Sequence, residues 1–436
     1  MRNIPQRKNP PASRGRRLLG RTAAAWLGGL GVVAVQGQDL VTPPSGGGGS
    51  SAFPDGGVLQ KSGIYQAPPL APNTLPPLVH WGELTLRPDL VYRFILGDGI
   101  PVSTNRSYST VIQEFSPGLS LGFGSHWDLQ YTPTERLYSN HNFVDGLDHY
   151  VDLEGSVTNQ ATSLSVSQKK IHTLSQLLET GAQTETDIYD TELRASHLLN
   201  SKWSLEAGLS QNFRYPGLYQ GYREWSTLDW LAYQMTPSLN LAMGMGLGYT
   251  AVIDSVNSVY EQAQGRMNLR LTDRLSLGLN GGAQERQLLS NGGGNLFNPI
   301  YGASILFRTG SGTVISLGAS QVTMVSYVPG NLTETTTLEL SLKQQILERV
   351  SLILAGGYRQ NSYVNELRFA VAGGGIVDFG SVVRKDDTFS FSTRLIYAFS
   401  TRGTLALFYR YRMNESSQQG YALTSNQVGI ELGYHY

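Results

Sequence analysis

From Trp81 to the C-terminus the chain repeats one pattern: a short polar turn followed at once by alternating apolar and polar residues. The segment 201–207 reads Ser-Lys-Trp-Ser-Leu-Glu-Ala, and 273–279 reads Asp-Arg-Leu-Ser-Leu-Gly-Leu. A period of two is typical of a β-strand whose two faces have different surroundings. Turns of this kind lie near residues 124–125, 159–160, 201–202, 236–238, 273–274, 309–310, 348–349 and 400–402.

The spacing of these turns predicts the architecture. Most successive turns are roughly 35–40 residues apart, which fits two bilayer-crossing strands and one outer loop. The eight turns join sixteen strands, and a first strand at 81–96, interrupted by Pro88, and a last strand at 424–436 raise the total to 18. We therefore expect an all-β fold, an antiparallel transmembrane β-barrel of about 18 strands (range 16–20) with short periplasmic turns and longer extracellular loops. The region 364–385 leaves the count open, because it can hold either an extra hairpin or a plug.

Composition narrows the class of protein further. Only 15% of the residues are charged, below the roughly 25% of soluble domains. The sequence has no run of about 18 apolar residues, which excludes a helical membrane protein. The chain is instead rich in Gly (50) and Tyr (23), and it contains no Cys, which excludes a disulfide framework and thiolate chemistry. A transmembrane β-barrel is the membrane class that remains.

The N-terminal part predicts export and a linker. Residues 1–21 hold seven bases and no acid, 22–35 are largely apolar, and a small-residue pattern ends at Gly37. We predict a secretory signal peptide over 1–37, and a twin-arginine signal is the alternative interpretation of Arg16-Arg17. The Pro- and Gly-rich segment 38–78 predicts a disordered periplasmic linker or a partner-binding tail, and 79–436 then forms the barrel. Cleavage of the signal peptide would remove seven of the 33 Lys and Arg residues and leave 26 against 33 Asp and Glu. The mature chain would then carry no excess of positive charge, which a nucleic-acid-binding protein needs.

Alternation also assigns the two faces of each strand. In the last strand Val428, Ile430, Leu432, Tyr434 and Tyr436 are predicted to face lipid. The predicted lumen-facing charges, candidates for the pore lining, are Asp128, Asp152, Glu154, Asp190, Glu192, Glu206, Asp229, Arg266, Arg270, Arg359, Arg394, Arg410, Arg412 and Glu431. The acids concentrate in the first half of the chain and the bases in the second. These charges either set a transverse field across the lumen or form ladders with neighbours in the wall.

The sequence offers little to support catalysis. None of the seven His residues has a metal-ligand spacing. The Gly-rich segment at 292–294 lacks the Lys-Ser/Thr pair of a phosphate loop. We therefore predict a protein that is not an enzyme and uses no cofactor or metal. A convergent Ser/His or Asp/His cluster at the barrel rim would overturn this prediction.

Several short motifs carry a resemblance to a known family. They are Phe115 to Leu121, Trp127 to Tyr131, Asp145 to His149, Tyr409 to Tyr411, and Asn426 to Gly429. Together they resemble the beta-barrel porin type 2 family over roughly residues 81–436. The resemblance implies an outer-membrane barrel and an association with exopolysaccharide export. The terminal alternation that ends in Tyr436 is also similar to the signal read by the barrel-assembly machinery.

The sequence therefore predicts an outer-membrane porin or channel of a Gram-negative-type bacterium, and the resemblance adds assistance of polysaccharide export as an expectation. The alternative is a structural or surface-interaction barrel closed by its loops, with the segments 140–147, 288–297, 364–385 and 414–423 at its rim. The expected partners are outer-membrane lipid, the barrel-assembly machinery, and polysaccharide or small hydrophilic solutes.

Overall fold

The computed structural model describes residues 79–124, 126–177, 179–289, 294–310, 312–365, 369–371, 375–377 and 382–435. The predicted signal peptide (1–37), the predicted linker (38–78) and Tyr436 lie outside these ranges. The strands are β1 Val79–Trp81, β2 Leu84–Ser103, β3 Arg106–Phe123, β4 Trp127–Tyr138, β5 Gly146–Asn159, β6 Thr162–Leu177, β7 Ala182–Leu198, β8 Trp203–Pro216, β9 Tyr222–Thr236, β10 Leu239–Val252, β11 Ser258–Arg270, β12 Leu275–Leu288, β13 Asn295–Arg308, β14 Thr313–Val325, β15 Asn331–Leu347, β16 Val350–Asn365, β17 Phe369–Val371, β18 Gly375–Val377, β19 Val382–Ala398, β20 Gly403–Ser416 and β21 Leu423–His435.

Eighteen of these strands form one closed antiparallel barrel. Strands β2 to β16 and β19 to β21 each pair with their neighbours in this order, and β2 pairs with β21 to close the ring. The closing register runs from Asp89 opposite His435 to Asp98 opposite Asn426. The short β1 adds to β2, and β17 pairs with β18 in a separate two-stranded sheet. The predicted fold class and the count of 18 strands are confirmed.

The turn prediction holds at all eight positions. Connections of two to four residues lie between the strands at 124–126, 160–161, 199–202, 237–238, 271–274, 309–312, 348–349 and 399–402. At the extracellular end the strands are longer than the alternation predicted. Three of the predicted rim segments, 140–147, 288–297 and 414–423, are therefore shorter in the structure, at 139–145, 289–294 and 417–422. Within 364–385 the described strands β17 and β18 do not join the barrel, so they add no transmembrane hairpin.

The first barrel strand differs from its prediction. It begins at Leu84 and continues to Ser103, and Pro88 lies inside it, opposite Leu119 of β3. Pro88 is tolerated because β21 pairs with β2 only from Asp89 onwards, so at Pro88 one side of the strand has no partner in the barrel ladder.

The two faces of the wall differ as the alternation predicts. On β20, Leu405 and Leu407 are exposed on the outer face, whereas Ala406 and Phe408 are buried. The aromatic side chains of Trp203 and Tyr397 are exposed near the periplasmic turns, where girdles meet the headgroups. The outer face is therefore an apolar band suited to lipid. Within the described ranges, no helix is long and apolar enough to cross a membrane.

Candidate functional site: the lumen and its outer mouth

The number of strands determines how wide the lumen is before side chains and loops fill it. Eighteen strands spaced about 4.8 Å apart and tilted by about 40° enclose a circle roughly 35 Å across between backbones. Barrels of about eight strands are filled by their own side chains, but barrels of this size are not. Whether the lumen is open therefore depends on the wall side chains and on the loops at the mouth.

Thirteen of the fourteen predicted charges lie on the lumen face. On each strand they lie an even number of residues from buried side chains, and therefore on the same face as these. Arg410 is two residues from the buried Phe408, and Asp190 is two residues from the buried Ile188. Those near the periplasmic turns, such as Asp128 and Arg270, are exposed to solvent at that end. The remaining members of the set on this face are Asp152, Glu154, Glu192, Glu206, Arg266, Arg359, Arg394, Arg412 and Glu431.

The prediction for Asp229 is wrong. Asp229 lies on the outer face of β9 with the exposed Trp225 and Leu231, opposite the exposed Met245 of β10. Its Oδ1 accepts a hydrogen bond from the backbone N of Gly208, 3.3 Å away. The alternation predicted the wrong face for Asp229 because this part of β9 carries apolar residues on both faces. The lumen face holds a cluster formed by Leu228, Trp230, Ala232 and Ala242.

A row of six buried charges of alternating sign crosses the closing seam of the barrel. It runs across Arg394, Glu431, Arg93, Glu114, Arg136 and Asp148, on strands β19, β21, β2, β3, β4 and β5. Arg93 Nε lies 2.7 Å from Glu431 Oε2, and its Nη1 lies 3.2 Å from Glu114 Oε2. Arg136 Nε lies 3.0 Å from Glu114 Oε1, and its Nη2 lies 2.9 Å from Asp148 Oδ2. Arg394 reaches over β20 to the other oxygen of Glu431.

We call these six residues the seam ladder. Every carboxylate in it faces at least one guanidinium, so the buried charges are compensated within the row. Arg93, Glu114, Arg136 and Asp148 were absent from the predicted set, although the alternation contained the signal. Arg93, for example, lies between the lipid-facing Tyr92 and Phe94. The row joins the first and last strands of the barrel by side chains as well as by backbone pairing.

Other predicted charges also pair along the wall. Arg266 on β11 donates to both carboxylate oxygens of Glu206 on β8, at 2.9 and 2.8 Å, and its guanidinium lies 4.6 Å from the ring centre of Trp230. Arg214 Nη1 donates to Asp190 Oδ1 at 2.9 Å. These contacts favour wall ladders over a transverse field, because several acids find a base a few strands away.

A buried carboxylate bridges the outer mouth. Glu179, between β6 and β7, accepts hydrogen bonds at Oε1 from the backbone N of Tyr327 at 2.7 Å, from that of Val328 at 3.3 Å, and from Ser326 Oγ. Six strands lie between β7 and β14, so the two connections start from nearly opposite walls. We call Glu179 with Ser326, Tyr327 and Val328 the clasp.

The outer ends of β14 and β15 lean inward to reach the clasp. Pairing between β13 and β14 stops at Tyr301 opposite Gln321, whereas β14 and β15 stay paired up to Val325 opposite Leu332. Val325 and Leu332 form a buried apolar cluster with Tyr222 of β9 and Val252 of β10. This segment, residues 322–335, therefore separates from β13 while β15 stays paired with β16 up to Asn331 opposite Asn365, and it leans over the mouth. We call it the mouth hairpin.

Neighbouring loops hold the clasp from other directions. Arg384 of β19 donates from Nη1 to the backbone O of Glu179 at 2.7 Å. Its guanidinium lies 4.5 Å from the ring centre of Tyr363 and 3.6 Å from that of Tyr421. The backbone N of Gln220, between β8 and β9, donates to the O of Tyr327 at 3.1 Å. Connections from several parts of the barrel thus converge at one point over the lumen.

Sequence reasoning missed this site. Glu179 lies in a four-residue connection without any motif, and 326–330 was not among the predicted rim segments. The long segment 364–385, which was the predicted candidate for a plug, supplies the clasp with Arg384 only, among its residues with described side chains. As for chemistry, the described residues contain no group of three or more His, Cys, Asp or Glu that could hold a metal ion.

The sequence matches no family model and no curated protein. Solved structures that resemble it include OccK2 (OpdF) of Pseudomonas aeruginosa, with a TM-score of 0.44 and 13% identity over 80% of this chain and 98% of that chain. OpdL of Pseudomonas aeruginosa has a TM-score of 0.40 and 15% identity over 82% and 99%. OccAB3 of Acinetobacter baumannii has a TM-score of 0.43 and 9% identity over 80% and 99%. Likenesses this distant assign no function, and the resemblance to the beta-barrel porin type 2 family stays a prediction.

The membrane assignment follows from the wall itself. In hydrocarbon every backbone polar group must be paired, and a closed barrel achieves this without an edge. The 18-stranded ring is closed by β2 and β21, its outer face is apolar, and its lumen face is charged. This is the architecture of bacterial outer-membrane proteins. The chain is an antiparallel 18-stranded β-barrel of the outer membrane of a Gram-negative-type bacterium.

Proposed function

We propose that the barrel is a channel for small hydrophilic solutes, gated at its outer mouth by the clasp. The observation that carries the proposal is a charged lumen wall in a ring of 18 strands, bridged at the mouth by loop contacts. A wall roughly 35 Å across cannot be filled by side chains from the wall alone. Water therefore fills what the inward loops leave free.

The polar lining determines which solutes are suited to the channel. Acids and bases alternate along the wall, as Glu206 with Arg266 and Asp190 with Arg214. Such pairs offer hydrogen bonds to both donors and acceptors while leaving little net field, which favours hydrophilic solutes of either charge over strong ion selectivity.

A specific observation also favours the alternative, a structural barrel closed by its loops. Glu179 is 6% exposed, and the apolar side chains of the mouth hairpin pack against β9 and β10. A mouth that never opens would leave surface interaction as the function of the loops. Polysaccharide export, which rests on the family resemblance alone, is a narrower form of the channel proposal, and oligosaccharide blockade tests it.

Conductance of the reconstituted barrel separates these functions. The full mature chain, inserted in a planar bilayer, is expected to give discrete conductance steps interrupted by closures. Neutral oligosaccharides added to one side should shorten the open events if the lumen accepts sugars, and leave them unchanged if it does not. A folded, heat-modifiable barrel that stays silent in wild-type form and with Glu179→Ala would refute the channel and support the structural alternative.

A further inference from the structure

A groove of about 490 Å³ opens on the outer, lipid-facing surface of the barrel across β20, β21, β2 and β3. Its floor includes Leu96, Val111, Tyr409 and Val428. Leu96 and Val428 are exposed on the outer face of the wall. Its size lies within the range of small-molecule sites, roughly 300–1,000 Å³. The groove is separate from the lumen and from the clasp.

A β-bulge explains why the wall is recessed here. Gly97 pairs with Thr110 and the next pair is Ile100 with Tyr108, so β2 carries one residue more than β3. The bulged residues are Asp98 and Gly99. Gly99 has φ of 67°, and a Cβ there would lie 1.9 Å from the backbone O of Thr424. A residue without a side chain is therefore required beside Asp98, and bulges of this kind recur where a protein redirects a side chain.

The groove lies at the level of the outer leaflet. Val428 is six residues before Tyr434 on β21. At about 3.3 Å per residue and a tilt of about 40°, Val428 lies roughly 15 Å closer to the extracellular side than Tyr434, measured along the membrane normal. Tyr434 is on the outer face near the periplasmic turns. Because the apolar band of such barrels is about 25 Å tall, the floor of the groove faces acyl chains and its upper end reaches the headgroups.

The upper end of the groove is acidic and polar. Asp98 and Asn426 face each other on neighbouring strands. Asp98 Oδ1 accepts a hydrogen bond from Ser109 Oγ at 2.5 Å, and Asn426 Oδ1 accepts one from Tyr409 OH at 2.8 Å. Ser139 also lines this part, and the described residues that line the groove include no Lys or Arg. A carboxylate without a neighbouring base favours a cationic hydrogen-bond donor over a phosphate.

We propose that this groove is a binding site for one outer-leaflet lipid whose headgroup carries a primary ammonium. One acyl chain lies on the apolar floor formed by Leu96, Val111 and Val428. The ammonium donates to the Asp98 carboxylate and to Asn426. The site depends on the membrane position of the barrel and not on whether the lumen conducts.

Native mass spectrometry of the folded full-length barrel tests the proposal, with phosphatidylethanolamine and phosphatidylglycerol as the lipid probes. Wild-type protein is expected to retain one phosphatidylethanolamine at energies that strip phosphatidylglycerol. Asp98→Asn should reduce this retention at least fivefold. Val111→Trp, which fills the floor, should abolish retention of both lipids. Asp229→Asn is the matched control, because it neutralises another carboxylate on the outer face without touching the groove.

Three results would overturn the site. The first is equal retention of the two lipids by wild-type protein. The second is a loss with Asp229→Asn as large as that with Asp98→Asn. The third is a mass that shows a second copy of the chain, displaced by Val111→Trp, in place of lipid. If Val111→Trp does not fold, Asp98→Asn still decides the outcome, because its exposed side chain can be changed without altering the packing of the wall.

Discussion

Replacing Glu179 by glutamine should loosen the clasp while keeping the shape of the side chain. The Glu179 carboxylate accepts three hydrogen bonds, from Ser326 Oγ and from the backbone N of Tyr327 and Val328. Hydrogen bonds to an ionised group contribute about 1.5–3 kcal/mol, roughly twice as much as neutral ones. The glutamine side chain would keep an oxygen acceptor but lose the charge, so the closed mouth should be weakened by about 2 kcal/mol in total.

That free energy corresponds to a shift of about 30-fold in the ratio of open to closed states, since about 1.4 kcal/mol is a factor of ten. Single-channel recordings of Glu179→Gln in a planar bilayer should therefore show closures that are rarer or shorter, with an unchanged conductance of the open step. The matched control is Glu185→Gln, six residues further on, whose side chain is 65% exposed and makes only a contact with His172 among the described ion pairs.

Cross-linking supplies the opposite perturbation. The chain contains no cysteine, so Glu179→Cys with Ser326→Cys can be bridged by a short bifunctional thiol reagent without side reactions. Bridging should hold the mouth closed and silence the channel, and a reductant that cleaves the reagent should restore conductance. An open fraction in Glu179→Gln equal to that of Glu185→Gln, together with full conductance after bridging, would refute the clasp as a gate.

Three further predictions concern the wall. Glu114→Ala should lower the free energy of unfolding by about 3–5 kcal/mol, because it leaves two buried guanidinium groups without their shared carboxylate; a urea midpoint equal to that of the exposed control Glu135→Ala would contradict the seam ladder. Asp229→Leu should raise the urea midpoint, because an acid facing hydrocarbon costs up to about 2 kcal/mol; a lower midpoint would mean that the Gly208 hydrogen bond outweighs this cost. Arg410→Glu with Arg412→Glu should shift the reversal potential towards cation selectivity, and an unchanged potential would exclude a role for these charges in the field of the lumen.

The barrel and most of its faces were accessible to sequence reasoning because the pattern is local. A strand that separates lipid from a polar lumen must alternate, and a tight turn interrupts the alternation visibly. The prediction failed where that contrast is weak. Around Asp229 the lumen face carries Leu228 and Trp230, so the pattern does not distinguish the two sides. It was also incomplete at Arg93 and Glu114, although both residues alternate with apolar neighbours on the first two barrel strands.

The sequence by itself determined the number of strands, their closure into a barrel and most of the residues that face lipid, because all three follow from the period-two alternation between short turns. Only the tertiary structure decided what closes the mouth and where the outer wall is recessed. The clasp joins Glu179 to Ser326, 147 residues apart, and the seam ladder joins Arg93 to Glu431, 338 residues apart. Periodicity reports the surroundings of each residue along one strand. Contacts across the lumen and across the seam depend on how the barrel closes, so the alternation of residues along a single strand does not predict them.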